Sequence, residues 1–376
     1  MISEIHRKGY RPPPTKRVYI PKPGKANKRR PIAMPTIKDK ALQRATAEVL
    51  NAIYEQDFLE VSYGGRPKRS AHQAIAQVRA NLMVKPINFV YESDLKNFFG
   101  SLDHGWVEQF LRERVGDPRL LTLIRRWLKA GVMEGTTWVQ PETGAAQGGP
   151  ISVLISNIYL HYVLDLWIEK VVKPRMKGEI FYVRYLDDFV LGFEYHSDAV
   201  AFERVLTKRL AKFQLELEPT KTRLIRFGRQ AKSWHQHHKA GKPETFCFLG
   251  FTFYCDKTRK GRFKVGMKTE KNRLKRSCAK ITEQLKRNRH LPIRLQAKQI
   301  NQVLRGHYQY YGVSGNWDSI KRYYYHVIRN WRKWLSSRSQ TGKLSWIKYR
   351  KLLTLFPLQA PKIAVNYTRL QQLALL

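Results

Sequence analysis

Phe181-Tyr182-Val183-Arg184-Tyr185-Leu186-Asp187-Asp188-Phe189-Val190-Leu191-Gly192-Phe193 decides how the chain is read. Two short apolar, β-prone runs flank a pair of adjacent carboxylates, the pattern of a β-hairpin with acids at its tip. Successive strand side chains point to opposite faces, so a turn is needed to bring Asp187 and Asp188 near one site. Two ionised carboxylates side by side repel each other unless a cation sits between them. Such hard oxygen ligands suit Mg²⁺, which binds through one or two carboxylates plus substrate phosphates. Taken alone, the dipeptide reads more simply as a turn between two strands, because Asp is a common turn residue.

An upstream partner changes that balance. Ile87-Asn88-Phe89-Val90-Tyr91-Glu92-Ser93-Asp94 is a second β-prone run ending in a carboxylate. If this strand lies beside the hairpin, Asp94 joins Asp187 and Asp188. Three acids from two strands can hold two metal ions about 4 Å apart, a clamp for in-line phosphoryl transfer. That chemistry depends on positioning and charge neutralisation more than on a protein nucleophile.

Tyr185-Leu186-Asp187-Asp188 resembles the Tyr-x-Asp-Asp box of reverse transcriptases, and the blocks around it resemble the group II intron reverse transcriptase/maturase family. Arg30 to Lys40 is similar to the fingers block of that family, and Ser62 to His72 to the next. Gln147 to Ser152 and Asn157 to Leu160 match the block before the hairpin, and Phe248 to Phe251 matches the late palm block. The order agrees from about Tyr10 to about Pro361.

The resemblance implies an α+β right-hand polymerase: fingers and palm with an antiparallel sheet flanked by helices, then a helical thumb or maturase domain. The expected domains are fingers at 1–86, palm with inserted fingers helices at 87–267, and thumb at 268–376. The implied catalytic residues are Asp94, Asp187 and Asp188, which with Leu95 form the metal set for two Mg²⁺ ions, Mn²⁺ being able to substitute. The implied nucleotide contacts are Lys22, Arg30, Phe99, Gln147 and Lys221. The implied template and primer contacts are Arg66, Arg69, Leu249 and Gly250. Phe99 would sit under the sugar and block a 2′-hydroxyl; its other reading is a core aromatic. Lys221 would stand near the leaving pyrophosphate; its other reading is a solvated surface lysine. Lys22 and Arg30 would meet the triphosphate, where cations offset transition-state charge, or else are generic basic surface. Two positions depart from the family pattern: Gly100 stands where an Asp commonly follows the aromatic pair, which suggests a looser loop, and Val153 replaces a usual Pro.

Charge narrows the partner independently. Among 376 residues, 70 Lys and Arg against 29 Asp and Glu give a formal charge of +41. Self-repulsion on that scale is easiest to tolerate with a polyanion bound, which favours nucleic acid. No apolar run approaches the length that spans a bilayer, and Met1 to Tyr10 lacks the apolar core of a signal peptide. Cys247, Cys255 and Cys278 show no Cys-x-x-Cys spacing, which fits a reduced cytoplasm. His235, His237 and His238 read as a basic loop.

The remaining chain reads as follows. Pro12, Pro13, Pro14, Pro21 and Pro23 exclude regular helix near the start, and Arg17 to Ile20 is a strand candidate in a fingers hairpin turning at Gly24 to Asn27. The N-terminal extension common in the family is short here or trimmed. Helices are expected at Ile37–Phe58, Ser70–Asn81, His104–Arg114, Arg119–Ala130, Pro150–Val171 and Ser197–Phe213. Gly64 and Gly65 would let backbone come close to a ligand, beside Arg66, Lys68 and Arg69 for a template backbone. Phe246 to Tyr254 alternates as one strand. Basic helices follow at Lys268–Arg289, Arg294–Tyr311 and Asp318–Ser336, with tyrosines and tryptophans among the cations. That mixture suits RNA, while most of the tryptophans and half the tyrosines are expected to pack inward. Nothing after them resembles the His- and Cys-rich endonuclease domain of some relatives.

Two readings of function come from different classes. One is an RNA-directed DNA polymerase using an RNA template, a DNA or RNA primer and dNTPs, and binding group II intron RNA. The other is an RNA-binding splicing factor with incidental or lost polymerase activity. A third keeps the polymerase in a domesticated, for instance defence-associated, role.

Overall fold

The computed structural model describes residues 9–21, 29–139, 143–145, 148–339 and 342–375. They divide into two compact units, Met1–Glu244 and Thr245–Leu376. The division falls upstream of residue 268, so the second unit takes strands as well as helices.

In the first unit, strands β1 (Thr15–Pro21) and β2 (Arg29–Met34) form the expected antiparallel hairpin, with Ile20 opposite Arg30. Its turn, with Lys22, lies outside the described residues. Strand β3 is Phe89–Asp94. The short strands β4 (Val132–Glu134) and β5 (Thr137–Val139) extend the first hairpin into a sheet ordered β2-β1-β4-β5. Strands β6 (Ile180–Tyr185), β7 (Asp188–Phe193) and β8 (Arg223–Arg226) complete a second sheet, ordered β6-β7-β3-β8, with every neighbour antiparallel.

Helices cover this second sheet. Helix His196–Lys212 lays Phe202 edge-on against Tyr91 of β3, ring centroids 5.6 Å apart. Helices Ile37–Tyr54, Ala71–Val84, His104–Arg112 and Pro118–Lys129 start and stop within a few residues of the sequence expectation. Side chains before the first turn account for the starts: Thr36, Ser70, Asp103 and Asp117 each accept a hydrogen bond from a first-turn amide. The long helix after Pro150 is α-helical only over Ser152–Leu160. It then widens into i→i+5 turns at His161–Asp165 and Ile168–Val172.

The second unit corrects one strand. Phe246 to Tyr254 is not continuous. It folds back at Leu249-Gly250 into β9 (Phe246–Phe248) and β10 (Phe251–Lys257), with Phe248 opposite Phe251. Both turn residues have positive φ, 49° and 79°, the signature of a tight two-residue hairpin turn. Strand β11 (Phe263–Thr269) takes the first residues of the run expected as helix, so that helix is Lys271–Arg287. Helices Ile293–Tyr311 and Trp317–Ser336 follow. Asn316 ties β11 to these helices by accepting from the Thr269 amide at 2.7 Å and donating to the Tyr311 carbonyl at 2.8 Å.

The tyrosines of this unit divide between core and surface as expected, but the tryptophans do not mostly pack inward: Trp331 is buried, Trp334 half-buried, and Trp317 and Trp346 lie at the surface. Trp331, Tyr308, Tyr323 and Tyr349 are buried among Ile281, Leu304 and Val327, while Tyr325, Trp317 and Trp346 remain exposed. Trp331 donates its indole N–H to Gln296 at 2.9 Å. Trp331→Ala is therefore expected to cost about 3–5 kcal/mol, read by urea unfolding. A loss under about 1 kcal/mol would contradict the inward packing of this side chain.

Candidate active site

Antiparallel pairing brings the acids together. Asp94, last residue of β3, stands directly opposite Asp188, first residue of β7. Side chains so opposed have Cβ atoms about 4.5–5.5 Å apart, so the Asp94 carboxyl acts directly on that of Asp188. Asp187 occupies the hairpin tip with Leu186, whose φ of 56° is left-handed. Asp187 is close enough for the Asp94 charge to act on it, and the cations Lys221 and Arg30 act in the opposite direction.

Electrostatics follow from that crowding. Burial, then the adjacent Asp94 carboxyl and the charge of Asp187, push the Asp188 carboxyl well above the usual carboxylate range. Burial and then Asp94 push Asp187 in the same direction. Lys221 donates to Asp94 at 2.5 Å. Burial opposes the charge on Lys221, but its hydrogen bond to Asp94 and the charges of all three acids outweigh that and raise its pKa.

The chain delivers Lys221 by a defined path. The segment before it pairs antiparallel with the end of β3: Glu218 N–H donates to the Asp94 carbonyl at 2.8 Å and Lys96 N–H to the Glu216 carbonyl at 2.9 Å. A turn then closes with Lys221 and Thr222 amides both donating to the Glu218 carbonyl at 3.0 Å, and β8 begins. Leu95 is buried between these contacts. Its side chain offers a cation nothing, so its place in the metal set rests on the backbone carbonyl.

Among the described residues, no group of three or more His, Cys, Asp or Glu is arranged to hold a metal ion. Carboxylates are the donor type a magnesium ion takes, since it is held by few of them and completed by water and substrate phosphate. Mutually repelling, partly desolvated carboxylates are the charge pattern a divalent cation relieves.

Phe99 is half-buried against Phe98 and lines a cleft with Arg17, Pro31, Ala33, Asn97 and Ala145. Its loop is well tied, contrary to the looseness expected from Gly100. Ala145 N–H donates to the Phe99 carbonyl at 2.8 Å, Gly144 N–H to the Leu102 carbonyl at 2.7 Å, and Gly100 N–H to the Asn97 carbonyl at 2.8 Å. A side chain at Gly100 would collide with the Asn97 amide, 2.4 Å from a Cβ placed there. Gln147 lies outside the described residues, as does Lys22.

Arg66 does not serve as a template contact in this structure. It is buried, and each guanidinium nitrogen is engaged: with Glu55, with the Leu59 and Ser62 carbonyls at 2.7 and 2.9 Å, and with the Phe58 carbonyl at 3.4 Å. All five donors are thereby spoken for. Arg69 pairs with Glu60 and lies over the Tyr63 ring. Gly64 and Gly65 lie close against the hairpin tip and Val153. A Cβ on Gly64 would lie 2.5 Å from the Leu186 nitrogen, and one on Gly65 would lie 2.3 Å from Val153 Cγ1. In the second unit, Leu249 and Gly250 form the tight turn described above, where Tyr310 donates its hydroxyl proton to the Leu249 carbonyl at 2.8 Å. His235 is buried in a short helix, Ala231–His237, and not in a loop.

Paired carboxylates at a hairpin tip, one more on the neighbouring strand, and a lysine against them define a polymerase palm. Residues 20–253 match the family model described as "Reverse transcriptase (RNA-dependent DNA polymerase)". The chain belongs to that family, and its relatives place it with the group II intron-encoded members. It is 30% identical to Protein YkfC of Escherichia coli (strain K12), over 73% of this chain and 75% of that protein. It is 35% identical to the group II intron-encoded protein LtrA of Lactococcus lactis subsp. cremoris, over 44% of this chain and only 28% of that one. A solved telomerase from Candida albicans, in complex with a TWJ fragment of telomeric RNA, aligns with a TM-score of 0.52 over 93% of this chain and 64% of that one. At 12% identity that likeness speaks for the fold alone.

The raised carboxyl pKa values have a consequence for stability. Asp188 binds its proton more tightly folded than unfolded, so stability falls as pH rises above the ordinary carboxylate range. With divalent cations chelated, Asp188→Asn is expected to melt above the parent at about pH 7.5, the difference closing by about pH 4. A parent melting above the variant at the higher pH would contradict the crowding.

Proposed function

We propose that the chain copies RNA into DNA, with Asp94, Asp187 and Asp188 as its catalytic acids. The observation that carries this reading is the register of β3 on β7, which sets Asp94 against Asp188 beside the turn that holds Asp187. Two divalent ions at these acids and the Leu95 carbonyl, Mg²⁺ with Mn²⁺ as a substitute, would neutralise charge on the attacking and leaving oxygens.

In the reaction, the primer 3′-hydroxyl attacks the α-phosphate of a dNTP, one P–O bond forms and the bond to pyrophosphate breaks. Arg30, on β2, acts through its charge on Asp187, which supports the proposal that it meets the triphosphate. Lys221 keeps its proton against three acids and is the proposed donor to the leaving pyrophosphate. Phe99 is proposed to lie under the sugar. RNA is the template class that the family and the charge of +41 support. In the second unit, Lys321, Arg322, Tyr325 and Arg329 share one face of helix Trp317–Ser336, a mixture of cations and an exposed ring that suits a nucleic-acid backbone and its bases. Group II intron RNA is the proposed cognate partner, and the cytoplasm the proposed compartment. Among the described residues, no helix is long and apolar enough to cross a membrane.

Extension of a primer on an RNA template with Mg²⁺ tests this reading. Asp187→Asn is expected to lower the rate by at least roughly 10³-fold while RNA affinity stays near that of the parent. Undiminished extension by this variant would remove Asp187 from the site.

A further inference from the structure

Asp187 is carried by a turn that needs external support. Leu186 sits at φ 56°, a region a branched residue enters only when its surroundings compel it. Directly beneath the turn lies a buried polar network that the catalytic reading does not use. Arg184, on β6, and Asp165, in the first widened turn of the helix, are both fully buried and pair at 2.7 and 2.5 Å. Tyr182 donates to the same carboxylate at 2.9 Å.

The remaining Arg184 nitrogen faces the turn. Its Nη1 donates to the Leu186 carbonyl at 3.1 Å and to Asn157 Oδ1 at 3.1 Å. Asn157 in turn donates to the Gly64 carbonyl at 2.8 Å. Gly64 is the residue whose backbone abuts the Leu186 nitrogen. Leu186 is therefore gripped on its carbonyl by Arg184 and confined on its amide side by Gly64, and Asn157 couples the two. The backbone of Arg184 is held as well: its amide donates to the Val61 carbonyl at 2.8 Å and its carbonyl accepts from Tyr63 at 2.9 Å.

We propose that Arg184 and Asp165, coupled through Asn157 to Gly64, are positioning residues that set the left-handed Leu186 and so aim Asp187 at the reaction centre. A buried ion pair of this kind is a poor source of stability. Replacing both charges with apolar groups is often neutral, whereas removing one leaves an uncompensated buried charge. What this pair does at the turn is hold the Leu186 carbonyl through Arg184 Nη1.

The proposal rests on the polymerase reading, and its test separates the two. The triple variant Arg184→Met/Asp165→Leu/Tyr182→Phe removes the pair and its hydroxyl partner together. It is expected to stay folded by circular dichroism, with RNA affinity near the parent. Hydrogen exchange across 185–188 should rise by at least ~10-fold. The kcat for nucleotide addition should fall by ~100-fold, the scale of a misplaced reacting group, with KM for the template unchanged. Asn157→Ala keeps the ion pair but cuts the link to Gly64, and should give the same pattern at about tenfold. Parent-like exchange and kcat in the folded triple variant would overturn the proposal. Should the triple variant fail to fold, parent-like values in Asn157→Ala would overturn it, leaving the network a structural element only. An inactive parent would count against the polymerase reading alone, because the exchange measurement still reports on the turn.

Discussion

Mutual repulsion among three carboxylates is the constraint the first unit is built to sustain. Asp94, Asp187 and Asp188 would separate if their backbone were free. The hydrogen-bonded ladder between β3 and β7 holds two of them opposed, and the hairpin turn holds the third. Lys221 supplies the nearest countercharge, delivered by a turn whose hydrogen bonds begin on the Asp94 carbonyl itself. Burial first, and the neighbouring carboxylates after it, push Asp187 and Asp188 above the usual carboxylate range.

The layer beneath the acids has a different character. Arg184, Asp165, Asn157 and Tyr182 form a buried, well-satisfied network in which hydrogen bonds run from the helix to the turn. In low dielectric such bonds are stiff, and a partly satisfied set would be costly. Gly64 and Gly65 belong to the same layer, since side chains there would collide with Leu186 and Val153. Val153, one of the two departures from the family pattern, thus fills space over Gly65.

Much of the site was legible in the sequence because it depends on local pattern. Apolar runs around Asp187 and Asp188 mark the hairpin, and the run ending at Asp94 marks its neighbour. What was not legible depends on contacts between distant segments. Arg66 looks like a template cation in its Gly- and Lys-rich stretch, yet Glu55 and three carbonyls consume it. The Leu249-Gly250 reversal hides inside an alternating run because Phe248 and Phe251 are both apolar, so period two is preserved on either side of the turn. The buried pair did leave a trace. Arg184 interrupts an apolar strand and Asp165 an apolar helix, and charges so placed are seldom buried unless paired.

The most direct measurement is a double-mutant cycle on kcat for nucleotide addition, using Asp94→Asn, Asp188→Asn and the pair together. If the two carboxylates act as one charge centre, each single variant should lose nearly as much as the double, as groups that work as a unit do. Losses that add independently would mean that Asp94 and Asp188 do not serve the same reacting atoms.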